Sequence, residues 1–288
     1  MSNLVMQIRE ATTDDLEAMQ RVLEIVWKNR SERAYFNLRQ NTKAFVALET
    51  DQVIGFAALQ DRVWHPERKY LSLHVIPEFQ RRGVGFALWE ALNAKTERLQ
   101  AATSQAKKFL EQIGFIQMMQ TWNPVVNVLD IDFEPLKTAS IKTRDSGITI
   151  QSFSEVPHLE DQIAVLHHEL YAQSHAFNPP KQVTLEEAKS VYLHDAIPEA
   201  LFVALQNKKP IGVSSLRGEA DSYELVWSGT LGDDTTTTLA LVHHVLIFAL
   251  QNSVDYLTAE FDSVNPHAMA ILETLNIARG TAWLTFQN

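Results

Sequence analysis

The sequence predicts an α/β (α+β) chain built as two tandem domains, and three observations carry that prediction. The first is a strand, a loop and a helix in succession. Leu71, Leu73 and Val75 alternate with Ser72 and His74, and Pro77 ends the strand. Gln80-Arg81-Arg82-Gly83-Val84-Gly85 forms the loop, and Phe86, Ala87, Leu88, Ala91 and Leu92 recur with helical spacing. The second is an internal repeat. Residues 45–59 align without a gap with residues 202–216, sharing Phe, Val, Ala, Leu, Ile, Gly and Leu. The third is length, because 288 residues suit two domains of common size.

Residues 5–10 read as the first strand. Thr12 or Thr13 caps a helix whose positive end is crowded by Asp14, Asp15 and Glu17. Leu16, Met19, Val22, Leu23 and Val26 mark its buried face, and Trp27 lies near its end. A shorter helix follows Ser31. Residues 44–48 and 53–59 form a hairpin across a turn at 49–52. The loop 61–68 leads to the strand of the first observation, and the helix after it reaches Lys95. Residues 99–103 form a short strand. Residues 106–112 form a helix that Gly114 stops. Strands follow from Phe115 and near 125–128. Residues 132–147 lack periodicity and contain Pro135, Asp145 and Gly147, which predicts a linker between domains of residues 1–131 and 148–288.

The elements around the repeated hairpin recur in the same order, which makes duplication the better account of the repeat. Residues 148–151 open the copy, and a helix with Val156, Ile163, Leu166 and Leu170 follows. Residues 223–231 take the place of the strand over 71–75, and residues 239–250 are its helix. The loop between them has changed. Gly232-Asp233-Asp234-Thr235 stands where the first half has Arg81-Arg82-Gly83-Val84-Gly85. Two aspartates there repel a diphosphate while capping the helix well, so one phosphate-binding loop is expected, in the first half.

That loop has the chemistry of an anion site. A helix N-terminus presents unpaired N–H groups and a positive dipole end. Glycines let the backbone approach a diphosphate, and Arg81 and Arg82 add positive charge. The spacing is neither Walker A nor the dinucleotide fingerprint, which needs a third glycine. Together the strand, Val75-x-Pro77-x-x-Gln80-x-x-Gly83-x-Gly85 and the apolar helix resemble the acyl-CoA-binding motif of the GNAT acetyltransferases.

The order of elements is also similar to the GNAT layout. The resemblance implies, in each domain, a mixed, mostly antiparallel sheet with helices on both faces. It implies acetyl-CoA as co-substrate and N-acetylation of a small amine. The cofactor positions it implies are Leu73, His74, Val75, Gln80, Arg81, Arg82, Gly83, Val84, Gly85 and Phe86. Ala106-x-x-Phe109-Leu110-x-x-x-Gly114-Phe115 resembles the closing GNAT motif, commonly Asn-x-x-Ala-x-x-Phe-Tyr-x-x-x-Gly-Phe, which adds Thr103 and Phe109. Thr103 replaces the Asn and Leu110 the Tyr, the family's usual proton donor to the leaving thiolate. The copy keeps the Asn as Asn265, and Leu272 stands where Tyr would be. Nearly the whole chain resembles tandem GNAT proteins.

Acetyl transfer to an amine needs a base, donors for the thioester oxygen, and a proton or solvation for the thiolate. His74 has a suitable unperturbed pKa for the base, directly or through water, and is also readable as a histidine packed in the sheet. Glu67 is a second candidate, with His65 and Tyr70 beside it. Trp27 and Trp64 either line an acceptor pocket or pack in the core. His168-Glu169 lacks the second His of a zinc motif, so no metal is expected. No Gly-x-Ser-x-Gly elbow supports a hydrolase.

Residues 1–146 hold 19 Lys and Arg against 18 Asp and Glu, whereas residues 147–288 hold 6 against 17. That argues against nucleic acid, whose phosphates call for a basic stripe. It favours a cationic acceptor, although a solvated acidic surface explains it equally. No long apolar run or leader is readable, so no membrane partner is expected and the cytoplasm is the default location. Cys is absent, which excludes disulfides and a Cys nucleophile. Other readings are a non-catalytic acyl-CoA-binding or sensing protein and a purely structural partner.

Overall fold

The structure, a computed structural model, describes residues 6–27, 41–219 and 222–288. The helix predicted after Ser31 lies outside the described residues. The chain divides into two compact units. Unit 1 gathers the described residues up to Ala102 with Leu110–Ile116 and Phe286–Asn288; unit 2 gathers Thr103–Phe109 and Gln117–Thr285. The boundary read from the sequence differs from this. Residues 117–131 belong to unit 2, and the last three residues belong to unit 1.

In unit 1, β1 (Met6–Glu10), β2 (Asn41–Glu49), β3 (Gln52–Gln60), β4 (Lys69–Val75) and β5 (Leu99–Thr103) lie side by side in that order. All neighbours are antiparallel except β4 and β5. The C-terminal segment continues the sheet beyond β5. Helix α1 (Leu16–Trp27) follows a turn in which the Thr12 N–H donates to Asp15 Oδ2 at 2.8 Å. Its residues Met19, Val22 and Leu23 pack on Val46, Leu48, Phe56 and Ala58. Phe56 is fully buried there, a burial of about 1.5–3 kcal/mol for a side chain of this kind. Helix α2 (Val84–Leu92) buries Val84, Leu88, Trp89 and Leu92. Trp89 meets Phe115 edge-on at 5.9 Å. Helix α3 (Lys107–Gln112) begins in unit 2 and ends in unit 1, where Gly114 stops it at φ +95°.

Unit 2 begins with β6 (Ile116–Trp122), β7 (Val125–Asn127) and α4 (Glu134–Asp145). Then come β8 (Ile148–Ser152), α5 (Glu160–Ser174), α6 (Leu185–Tyr192), β9 (Leu201–Gln206), β10 (Lys209–Glu219) and β11 (Ser222–Thr230). It ends with α7 (Thr235–Gln251), β12 (Tyr256–Ala259), β13 (Phe261–Asp262), α8 (Pro266–Thr274) and β14 (Trp283–Gln287). Its main sheet runs β7-β12-β11-β10-β9-β8, parallel only between β11 and β12. Val242, Val245, Leu246 and Ala249 of α7 share a core with Leu136, Leu216, Leu225, Ile271 and Leu272.

Helix α4 corrects the irregular linker expected at 132–147. Pro135 sits in the first turn, where its missing N–H costs nothing. Only Leu136, Ala139 and Thr143 are buried, a stripe too small and polar to show as apolar periodicity. Gly147 ends the helix at φ +79°.

The duplication is visible in backbone detail. Both hairpins turn on two non-glycine residues with positive φ: Thr50 and Asp51 at 48° and 65°, Asn207 and Lys208 at 51° and 64°. That is the geometry whose twist matches antiparallel strands. Gly55 and Gly212 answer to the same crowding. A Cβ on Gly55 would lie 2.8 Å from His74 O, and one on Gly212 would lie 2.6 Å from Thr230 Cγ2.

Candidate functional site

The first wall of the site is β4. It pairs with β3 along Gly55↔Val75 to Gln60↔Tyr70. With β5 it pairs, among the described residues, only at Lys69↔Leu99 and Tyr70↔Gln100. Beyond Tyr70 the two parallel strands part. The Ile76 N–H donates to Ile54 O at 2.9 Å. Antiparallel alternation then turns the backbone of Tyr70, Ser72 and His74 toward β3. The backbone groups of Leu73 and Val75 therefore face the opening. Buried backbone groups demand partners, so this edge is fit to hold an amide-rich ligand arm.

The second wall is the loop. Gln80 Nε2 donates to Val75 O at 2.9 Å and ties the loop to the strand end. Arg81 takes φ 58°, and Gly83, at φ 84°, occupies the N-cap of α2. Among the described residues, no side chain caps this helix. The Ala87 N–H bonds back to Gly83 O at 3.0 Å, which leaves the N–H groups of Val84, Gly85 and Phe86 with no intrahelical acceptor. Arg81 and Arg82 are exposed, and the Arg82 guanidinium stands 5.3 Å from the Phe79 ring centre. Phe86 is 53% exposed on the first helical turn. Glycine geometry, N–H groups with no intrahelical acceptor and cationic side chains thus lie together on this loop.

His74 lies within β4 and Glu67 before it. The His74 ring lies 5.6 Å from Trp27 and 5.2 Å from Phe56. Although the side chain keeps some exposure, this packing desolvates the imidazole and lowers its pKa from 6.5 to about 4. A neutral imidazole of that pKa is a weak base near neutral pH. Glu67 pairs with Arg98 at 3.3 Å and precedes β4, whose seven residues span roughly 20 Å. It stands at the end of the strand away from the loop. Tyr70 Oη accepts from Gln100 Nε2 at 2.8 Å.

Thr103 and Phe109 fall in unit 2. Thr103 Oγ1 accepts from the N–H groups of Gln105 and Ala106 at 3.0 and 2.9 Å. Asn265 does the same for His267 and Ala268 at 3.0 and 3.3 Å. Both side chains cap the closing segment, and Leu110 and Leu272 are buried.

In unit 2 the corresponding loop is bonded from within. β11 and β12 also part, after Leu225↔Ala259. Asp234, however, caps α7, accepting from Thr237 N at 3.1 Å and Thr237 Oγ1 at 2.6 Å. His267 Nε2 donates to Gly232 O at 2.9 Å, and its Nδ1 lies 2.8 Å from Thr238 Oγ1. A Cβ on Gly229 would lie 3.3 Å from the same imidazole and 3.8 Å from Leu170. Sequence reasoning found the aspartates but missed His267, which only the fold places against the loop. It also missed Glu260. That side chain reaches solvent, yet crowding by protein and the nearby Asp262 raise its pKa to about 7.

A split parallel pair beside a glycine-led helix N-terminus defines a fold of acyl-group transferases, and the comparisons agree. Residues 10–125 match the family model of the acetyltransferase (GNAT) domain. A search of curated proteins finds no match to the sequence. Among solved structures, a GCN5-related N-acetyltransferase from Sphaerobacter thermophilus is similar at TM-score 0.62 and 15% identity, covering 98% of this chain and 95% of that one. A glucosamine N-acetyltransferase region of a fungal multi-domain β-N-acetylglucosaminidase is similar at TM-score 0.66 and 14% identity, covering 100% of this chain and 38% of that one. A tandem GNAT protein from the clavulanic acid biosynthesis pathway is similar at TM-score 0.52 and 13% identity, covering 98% of each. At these identities the likeness is one of fold. Residues 10–125 thus form a GNAT acetyltransferase domain, and the chain has a fold similar to that of tandem GNAT proteins.

Proposed function

We propose that the chain is an acetyl-CoA-dependent N-acetyltransferase that binds its co-substrate in unit 1 and acetylates a small amine. One observation carries this reading. The parted β4 edge and the uncapped α2 N-terminus lie in the same unit, joined by the Gln80 tether. The N–H groups of Val84, Gly85 and Phe86 would hold the diphosphate. The backbone of Leu73 and Val75 would hold the acyl-pantetheine arm. Bound there, the co-substrate supplies an activated thioester. The loop of unit 2, already filled by Asp234 and His267, supports a single site per chain.

The chain's own proton chemistry is spare. His74 stays neutral above about pH 4, and Leu110 has no proton to give. The amine then reaches the thioester already deprotonated; its nitrogen bonds the acyl carbon, the C–S bond breaks, and the surplus N–H proton passes through water to the departing thiolate. The acidic balance of residues 147–288 favours a cationic acceptor, whose local concentration a negative field raises. The same missing acid and weak base favour a second reading, a non-catalytic acyl-CoA-binding protein. Calorimetry with acetyl-CoA tests the site: one equivalent per chain is expected, and two equal sites would refute it. Thiol release over a panel of amines separates catalysis from binding alone.

A further inference from the structure

The vertex of the β4–β5 opening is held by side chains from three strands. Tyr70↔Gln100 is the last pair before β4 and β5 part. At that point Gln100 Nε2 donates to Tyr70 Oη at 2.8 Å, and Gln287 Nε2 donates to Gln100 Oε1 at 3.0 Å. Gln100 and Gln287 are 7% and 4% exposed. Buried amides are costly to leave unmatched, so this relay fixes the lateral position of β5. Its neighbours are fixed as well. Phe286 is fully buried. Leu99 N–H donates to Asn288 Oδ1 at 2.8 Å, and Arg68 Nη1 donates to Leu99 O at 3.3 Å and Asn288 O at 3.2 Å.

We propose that Gln287 is a positioning residue for the acyl-CoA cleft, acting through Gln100 and Tyr70 to set the angle at which β4 and β5 part. The inference rests on the cofactor reading above. A strand held on both sides can diverge from β4 only by the amount its other neighbour allows. β5 meets the residues 286–288 on that other side, so the end of the chain gauges the width of a cleft in unit 1. The loop that would bind phosphate is fixed separately, by Gln80 and Gly83. Loosening the vertex therefore acts on the pantetheine arm and spares the phosphate end.

The test uses the full chain and two probes, acetyl-CoA and adenosine 3′,5′-bisphosphate, the cofactor fragment without the pantetheine arm. Gln287→Leu should weaken acetyl-CoA about tenfold, the factor carried by one lost buried hydrogen bond. The bisphosphate should stay within about twofold, as independent sites do. Gln100→Leu combined with Gln287→Leu leaves no orphaned amide and should recover the thermal midpoint while keeping the acetyl-CoA defect. An unchanged acetyl-CoA affinity in a folded Gln287→Leu protein would overturn the proposal. So would equal weakening of both probes, which marks a loss of folded protein. If the unaltered chain bound neither probe, the cofactor reading would fail first and this inference with it.

Discussion

Two glycines allow the loop assignment to be tested with an internal control. Gly83 and Gly232 take φ of +84° and +83°, and a Cβ added to either meets nothing within 4 Å. Alanine at either position therefore carries the same torsional cost and no clash with the protein. That cost is about 1–2 kcal/mol for an L-residue in the left-handed region. For units of this size each kcal/mol lowers the midpoint by about 2–4 °C. Binding separates the two. At Gly83 the new methyl stands between the α2 N–H groups and the phosphate they would hold. Loss of one charge-assisted hydrogen bond, about 1.5–3 kcal/mol, weakens acetyl-CoA roughly 10- to 100-fold. At Gly232 the helix end already belongs to Asp234 and His267, and affinity should not move. Calorimetry on both variants, with melting curves to confirm matched stability, is the assay. Equal affinities in Gly83→Ala and Gly232→Ala would refute the argument that only the first loop binds the cofactor.

The remaining predictions concern pH and the chain end. Because His74 stays neutral above about pH 4, kcat/KM should follow the acceptor's own ammonium, and His74→Ala should remove no inflection near pH 6–7. An inflection there that disappears in His74→Ala would restore His74 as the base. His167 is 1% exposed against Tyr192, and burial lowers its pKa from 6.5 to about 3. The unfolded chain then binds the extra proton between those values, so stability falls as pH drops through 6.5 and levels off near 3. His167→Leu should gain about 2 kcal/mol more at pH 5 than at pH 8, measured by urea unfolding; equal effects at both would contradict it. A protein of residues 1–146 lacks Phe286–Asn288 and leaves β5 with an open edge, so it should melt without cooperativity or associate. A monomer with a sharp transition would show that the last residues are dispensable to unit 1.

What the sequence made legible was local. The hairpins, the β4–loop–α2 succession and the closing helix each lie within one stretch of period 2 or 3.6, and the repeat doubled the signal. Helix α4 was illegible because its buried stripe is Leu136, Ala139 and Thr143, and because Pro135 opens the helix where it could be read as breaking it. The chemistry of His74 depends on what surrounds the ring. Trp27 and Phe56 come from a helix and a neighbouring strand, and no spacing reveals that both reach it. Thr103 matched a family position, yet its oxygen is spent on the cap that Asn265 also makes. The Gln287–Gln100 bond joins residues 187 apart in the chain, beyond any pattern a window detects.

The two halves show what one backbone plan does with different occupants of a helix end. An α-helix N-terminus leaves N–H groups that must be satisfied, and a carboxylate or a phosphate serves equally well. In unit 2 the occupant is covalently present. Asp234 takes the Thr237 N–H, and His267 fastens Gly232 and Thr238 across the loop, so the unit is complete as folded. In unit 1 Gly83 brings no side chain, and neighbouring arginines stand exposed, so that helix end is open to an anion, as the proposed cofactor site requires. On the proposed reading, exchange of water there for a multiply charged phosphate would stabilise unit 1 by mass action. Asp234 leaves no such exchange open to unit 2. Ligand-dependent stabilisation should therefore be confined to one half of a duplicated fold, and the residues at the two helix ends decide which half.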